Sequence, residues 1–463
     1  MGTTMQGRLR VHGRLLPAAF SALPIRRTNI FSLPFFVPPL DQNSGGQSTL
    51  FYRKKESTMG HPFLAGRFGA TPHYTLIQGL YWMIYCILVS FSSVYLLEHG
   101  FLNTQIGILL SVSSILSALI QPVAAAKADQ MKKLSLRQLC ALLMLAMGGC
   151  AAGLLLLSNA LIQGGLYMLL LILLQLLMPF QYALGMDCVN NHIPLNFGLA
   201  RSFGSITYGL ASSLCGILAT RYGAGILPLL LLCLSALFLP TLLSFRFSGP
   251  VGKTLPHQEV LEPEDHRPFL KKYKTLPPLL LGIILLFTSH NILMSFPYQI
   301  VQSLGGGSME MGQLLTVQCM VEIPIMVFFA PLLRRASSRF WVRISSVSFF
   351  LHALLIWLSP NLTVLLAVQI FEMTGYALYA VASVYFVNQL IDLPDRVQGQ
   401  TYFSMTNTIG LILGSFVGGL LLDYAGVSAL LSFATLTGAG GMILLLMLLR
   451  TNRTQVPVQQ AQP

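Results

Sequence analysis

The basic residues of this chain fall almost entirely on one side of a set of twelve apolar runs. Short loops join the runs, so alternate loops belong to opposite faces of a membrane. Of the 28 Lys and Arg residues, Arg221 alone falls on the second face. The others sit in the terminal tails, in the alternate loops or, like Arg201, at the inner mouth of a run. A Lys and Arg excess of this kind places its loops in the cytoplasm. The pattern predicts an all-α polytopic membrane protein with both termini cytoplasmic, housed as a multi-pass protein in the plasma (inner) membrane.

Each run approaches the about 20 apolar residues that cross roughly 30 Å of hydrocarbon. Inside lipid a segment must satisfy its own backbone groups, so every run should be helical. The spans are expected near 75–97, 104–126, 138–158, 164–187, 199–220, 225–245, 277–301, 312–333, 342–359, 362–388, 401–422 and 427–449. Only 9% of the chain is charged and 54% is hydrophobic. Soluble domains carry about 25% charged residues, which sets this chain outside that class.

Five stretches follow. Residues 1–74 form a basic tail rich in Pro, Gly and Ser, expected to be disordered and cytoplasmic. Pro17 and Pro24 interrupt its only apolar stretch, so no signal-peptide core survives. Met59 stands a normal distance before the first span, and residues 1–58 can equally be an upstream extension not needed for function. A six-helix bundle is expected over 75–247 and a second over 276–449. The cytoplasmic linker 248–275 between them carries Glu259, Glu262, Glu264 and Asp265. A short cytoplasmic tail, 450–463, closes the chain.

The net charge of +13 does not imply nucleic acid. Its clusters, such as Lys271, Lys272 and Lys274, flank apolar runs, where they suit the anionic headgroups of the inner leaflet. The seven cysteines lie in or beside spans without a CxxC, which makes them packing residues. No metal site, HExxH, P-loop or GxSxG motif occurs, so ATP-driven pumping and hydrolase chemistry lack support. The chain is expected to be a monomer and not an enzyme, with no cofactor beyond a coupling proton.

The halves repeat each other. Gly107-Ile-Leu-Leu-Ser-Val112 matches Gly312-Gln-Leu-Leu-Thr-Val317, 205 residues later. Ser213, Gly216, Leu218 and Tyr222 match Ser415, Gly418, Leu420 and Tyr424 at an offset of 202. Repeated halves point to a transporter whose site lies at their interface near midplane. Gly410, Gly414 and Gly418 sit four apart on one helix face, a spacing that permits close helix packing.

Few ionisable residues interrupt the runs, and each costs about 2.5–3.5 kcal/mol at a helix centre. Glu372 lies about ten residues into span ten with no basic residue within two turns. Desolvation favours its neutral form, which can release a proton to a water-filled cavity. Glu322 stands midway along span eight, followed by Pro324. Asp187 ends span four and Arg201 begins span five. They can pair to fix the helix ends, or Arg201 can reach an oxygen-rich solute. Gln369 and the adjacent pair His290-Asn291 are further candidates for a solute site.

Twelve spans in two sixes resemble the major facilitator superfamily over residues 75–449. Lys127-Ala-Asp-Gln-Met-Lys-Lys133 resembles in part that superfamily's loop between spans two and three, which implies gating roles for Asp129, Lys132 and Lys133. Phe197-Gly-Leu-Ala-Arg-Ser-Phe-Gly-Ser205, Phe328-Phe-Ala-Pro331 and Phe371-Glu372 are similar to segments of the lactose permease and phenylpropionate permease group of proton symporters. By that resemblance Arg201 binds substrate, Tyr208 stacks on a sugar ring and Glu372 takes the coupling proton. Glu322 lies near a coupling glutamate. The group's sugar-binding acid falls near Ala183, for which Asp187 is the substitute one turn on, and Gln369 replaces a histidine of its proton network. The charged pairs linking spans seven, ten and eleven are neutral here, at Asn291, Leu366 and Gly410. Losing both members avoids an uncompensated buried charge. The expectation is proton-coupled symport of a small polar organic solute (a sugar, nucleoside or aromatic acid) by alternating access. The alternatives are a proton-coupled exporter of amphipathic compounds and a non-transporting membrane sensor of the same fold.

Overall fold

Long runs of Leu, Ile, Val, Phe and Ala close their own backbone hydrogen bonds wherever the computed structural model describes the chain. It describes residues 69–130, 135–191, 193–246, 269–392 and 395–451. Most of the expected tails and linker (residues 1–68, 247–268 and 452–463), Lys132 and Lys133 lie outside the described residues, as does the side chain of Asp129. The secondary structure is helical: α1 Ala70–Tyr85, α2 Ser92–Glu98, α3 Asn103–Gln130, α4 Leu136–Leu156, α5 Ala160–Asn190, α6 Phe197–Tyr222, α7 Ile226–Ser244, α8 Phe269–Lys272, α9 Leu276–Ser295, α10 Pro297–Ser303, α11 Ser308–Arg335, α12 Ser338–Trp357, α13 Leu362–Val368, α14 Ile370–Glu372, α15 Leu378–Leu390 and α16 Arg396–Thr451. Among the described residues nine helices are long and apolar enough to cross a membrane, or ten if a bent pair forms one span.

That pair is α1 and α2, bent by 46° after a π-helical turn at Cys86–Ser90. A π turn frees backbone groups, and these need partners in an apolar surround. Tyr167 supplies one, donating its hydroxyl to the Leu88 carbonyl at 2.8 Å. Span seven breaks between α9 and α10 at Phe296, ahead of Pro297, which has no N–H to give. Spans eleven and twelve run together as α16, but Gly426 takes a φ of 76° inside it. The expected boundary between them falls at that glycine.

The two halves meet where α3 crosses α16 and where α6 crosses α11. Both crossings are glycine-built and they match each other. A Cβ on Gly107 would collide with the Ser415 carbonyl and crowd Gly419; one on Gly312 would collide with the Ser212 carbonyl and crowd Gly216. Ser111 donates to the Ile412 carbonyl at 2.9 Å, and Thr316 donates to that of Gly209 at 2.7 Å. Positions in α3 and α11 thus correspond at the expected 205. In α6 and α16, Ser212 and Gly216 answer to Ser415 and Gly419, an offset of 203 rather than the 202 read from the sequence. The glycines at 410, 414 and 418 turn instead toward α9, against Phe287, Thr288 and Phe296.

One crossing carries an added latch. Asp423 accepts from the Asn103 and Thr104 backbone N–H groups and from Asn103 Nδ2 at 2.8 Å, capping the start of α3 from the far half of the chain. Gln299 donates to Asn103 Oδ1 at 2.8 Å. These contacts close the end of the molecule that bears Glu98, Ser308 and Asp423.

Because no side chain fits where Gly312 meets Ser212 and Gly216, Gly312→Val should part that crossing. Spin labels at positions 220 and 309 should then report a longer, broader distance than in the wild-type background. An unchanged distance would refute the close-packed seal.

Candidate functional site

Span ten is interrupted where its chemistry lies. α13 ends at Val368, a single turn (α14) carries Glu372, and a π-helical turn follows at Met373–Ala377. Ser345 of α12 donates to the Gly375 carbonyl at 2.8 Å, taking up a backbone group at that turn. Ser348 and Phe349 of α12 lie beside Gly375. Two turns beyond Ser345, on the same face of α12, stands His352.

Glu372 is 1% exposed, so it turns away from lipid. His352 Nδ1 lies 3.1 Å from its Oε2, and His290 Nδ1 of α9 lies 3.3 Å from its Oε1. Three helical segments thus bring two imidazoles to one carboxyl group. The sequence pointed to Glu372 and His290 but not to His352, a lone histidine in an amphipathic stretch. The sequence placed Glu372 beside a water-filled cavity; the structure sets it between two imidazole rings. Among the described residues no His, Cys, Asp and Glu group is arranged to hold a metal.

Gln369, expected beside the solute, is 1% exposed and fully engaged within the second half. Its Nε2 donates to the Leu365 carbonyl at 3.0 Å, and its Oε1 meets His352 Nε2 at 3.3 Å. Asn291 is likewise a helix-to-helix partner: its Nδ2 donates to Asn407 Oδ1 at 3.0 Å and to the Phe287 carbonyl at 2.8 Å. His290 stacks flat on Tyr376, with ring centroids 4.8 Å apart.

The remaining candidates lie on α5, α6 and α11. The Arg201 guanidinium lies 4.1 Å over the Trp82 ring, a cation–π contact worth about 0.5–2 kcal/mol. The Asp187–Arg201 pair is not among the ion pairs of the described residues; Asp187 accepts from Asn191 Nδ2 at 2.9 Å. Tyr208 shares a hydrogen bond with Ser90 and packs near Tyr85. Trp82 and Tyr85 thus join Arg201 and Tyr208 in one aromatic-walled cluster. Glu322 of α11 lies within electrostatic reach of both Arg201 and Glu372. A separate cavity of about 240 Å³ lies between α3 and α5 beside Pro122 and Pro179, away from these groups.

The MFS_1 like family model matches residues 74–433. The chain belongs to the major facilitator superfamily. The nucleoside transporter NupG superposes with a TM-score of 0.70 at 15% identity, covering 84% of this chain and 100% of that one. A peptide transporter of the POT type, solved with alafosfalin, gives 0.62 at 11% identity over 82% of this chain and 93% of its own. At such identities the likeness is one of fold. A Deinococcus radiodurans protein described as a sugar efflux transporter is 27% identical over 158 residues, or 34% of this chain. The chain spans 40% of the length of that relative. The family and fold are those of membrane transporters.

The Asn291–Asn407 contact sets a measurable scale. Asn291→Ala should cost about 0.6 kcal/mol, the mean for interhelical hydrogen bonds in a membrane protein, read as lowered resistance to unfolding in detergent. A loss beyond about 2 kcal/mol would mean that Asn291 does more than bridge helices.

Proposed function

We propose that this protein is a secondary active transporter that moves a small polar organic solute by alternating access, with a proton taken up at Glu372 as its coupling ion. The observation that carries the reading is a carboxyl group shut away from lipid and water between His290 and His352. An isolated acid there would be costly. A proton-accepting pair resolves that cost and supplies a switch. Glu322 would couple the proton site to the solute, since it lies between Glu372 and Arg201 in electrostatic reach. Arg201, Trp82, Tyr85 and Tyr208 would bind the solute, with Asp187 at its inner margin; a hydroxyl-rich ring such as a sugar or nucleoside suits aromatic faces and a guanidinium.

The reading includes twelve spans in two six-helix bundles, both termini in the cytoplasm, the plasma (inner) membrane as location, and a monomer as the working unit. The charge asymmetry supports the orientation, and the matched crossings support the two bundles. With that orientation the closed end would face outward. The sugar efflux assignment of the Deinococcus relative favours a second reading, proton-driven export of the same class of solute.

A thermal-shift screen of sugars, nucleosides and aromatic acids on purified protein would find the solute, since ligands that bind the native state raise its melting point. In proteoliposomes Glu372→Gln should then abolish uphill movement of that solute and preserve exchange. Uphill movement at the wild-type rate would remove the proton role. Movement against or along the imposed proton gradient separates export from import.

A further inference from the structure

We propose that Gln369 fixes the tautomer of His352, so that the observed contact between His352 and Glu372 holds one exchangeable proton whose departure turns the carboxylate onto His290. This inference rests on the proton-coupled reading above and names the device within it.

The argument begins at a backbone carbonyl. Leu365 O can only accept, so the Gln369 atom 3.0 Å from it must be the amide nitrogen. The other end of the amide is then its oxygen, which faces His352 Nε2 at 3.3 Å. An amide oxygen also only accepts, so Nε2 carries a hydrogen. A neutral imidazole has one N–H. His352 Nδ1 would therefore be a bare lone pair, 3.1 Å from Glu372 Oε2 in a site 1–2% exposed. Two unprotonated acceptors at that distance repel, and little solvent is present to screen them.

One proton resolves the conflict. Either the carboxylic acid O–H donates to Nδ1, or an imidazolium Nδ1–H donates to the carboxylate. Both forms have the same atoms and no net charge. When that proton leaves for water in the interior, the carboxylate loses its partner on α12. His290 offers the next one: its Nδ1 and Glu372 Oε1 are 3.3 Å apart, and neither has a hydrogen-bond partner. With the hydrogen of neutral His290 on Nδ1, a small carboxyl rotation makes that bond. The groups facing Glu372 are His290 from α9, His352 from α12, Glu322 and Gln318 from α11, and Tyr376 one turn along its own segment. His290 in turn stacks flat on Tyr376. Gln369 is thus a positioning residue rather than a solute ligand.

The test is a carboxyl titration followed by infrared difference spectroscopy on detergent-purified protein, with the Glu372 band identified by its loss in Glu372→Gln. Gln369→Met keeps the side-chain length but offers His352 no oxygen. His352 can then place its single hydrogen on Nδ1 and stabilise the ionised carboxylate. The loading midpoint should move acidward by at least about one pH unit, a tenfold change in proton concentration. Gln369→Glu keeps the acceptor and should show no acidward shift. A residue that merely packs would lower stability in both variants and leave the midpoint alone. An unshifted midpoint in Gln369→Met, with the Glu372 band still titrating, overturns the tautomer argument and leaves proton coupling standing. A titration spectrum identical in wild type and Glu372→Gln overturns proton coupling itself. Should Gln369→Met not fold, ¹⁵N shifts of the wild-type His352 ring decide: a hydrogen on Nε2 across the titration is expected, and a bare Nε2 refutes the proposal.

Discussion

A carboxyl group inside a helical membrane protein needs partners brought from elsewhere in the chain, because its own helix has no free donors to give. At Glu372 those partners are two imidazoles from α9 and α12. Their delivery explains local irregularities that otherwise look like defects. The π-helical turn at Met373–Ala377, Gly375 beneath α12 and Ser345 on the Gly375 carbonyl all serve to hold the carboxyl-bearing turn against α12. Sequence produces the break, the break sets the packing, and the packing places a titratable group where a proton changes local charge.

The same dependence marks what was legible beforehand. Apolar runs and one-sided cations announce helices and their ends, since lipid tolerates little else. Glu372 stood out because an acid in such a run has a cost that sequence alone reveals. His352 did not, since a histidine among Ser, Phe and Leu has no local signature; only α12 packing against α14 gives it meaning. Gln369 and Asn291 were read as solute ligands because their type is visible and their direction is not. The one-residue slip in matching α6 to α16 has a like origin. Small residues repeat so densely there that identities fit at 202, whereas the helix crossing fits at 203. Breaks at Phe91 and Phe296 were missed because hydropathy runs straight through them.

The crossings show how little chemistry a duplicated scaffold needs at its joint. Backbone meets backbone through glycine, and the hydroxyls of Thr104, Ser111 and Thr316 reach carbonyls of the opposing helix. Apart from the Asp423 cap at the start of α3 these contacts are uncharged, which suits a joint that parts and re-forms. Burying a large side chain at either crossing would have exchanged that freedom for stability.

The two joints are alike in shape but unequal in strength. Asp423 ties α16 to the first turn of α3, while the corresponding place in α6 holds Thr220, which bonds within its own helix. A door hung this way has a hinge side and a free side. The gap between α6 and α11 would widen first, so a solute would meet an entrance flanked by Arg221 and Met309 rather than a symmetric funnel.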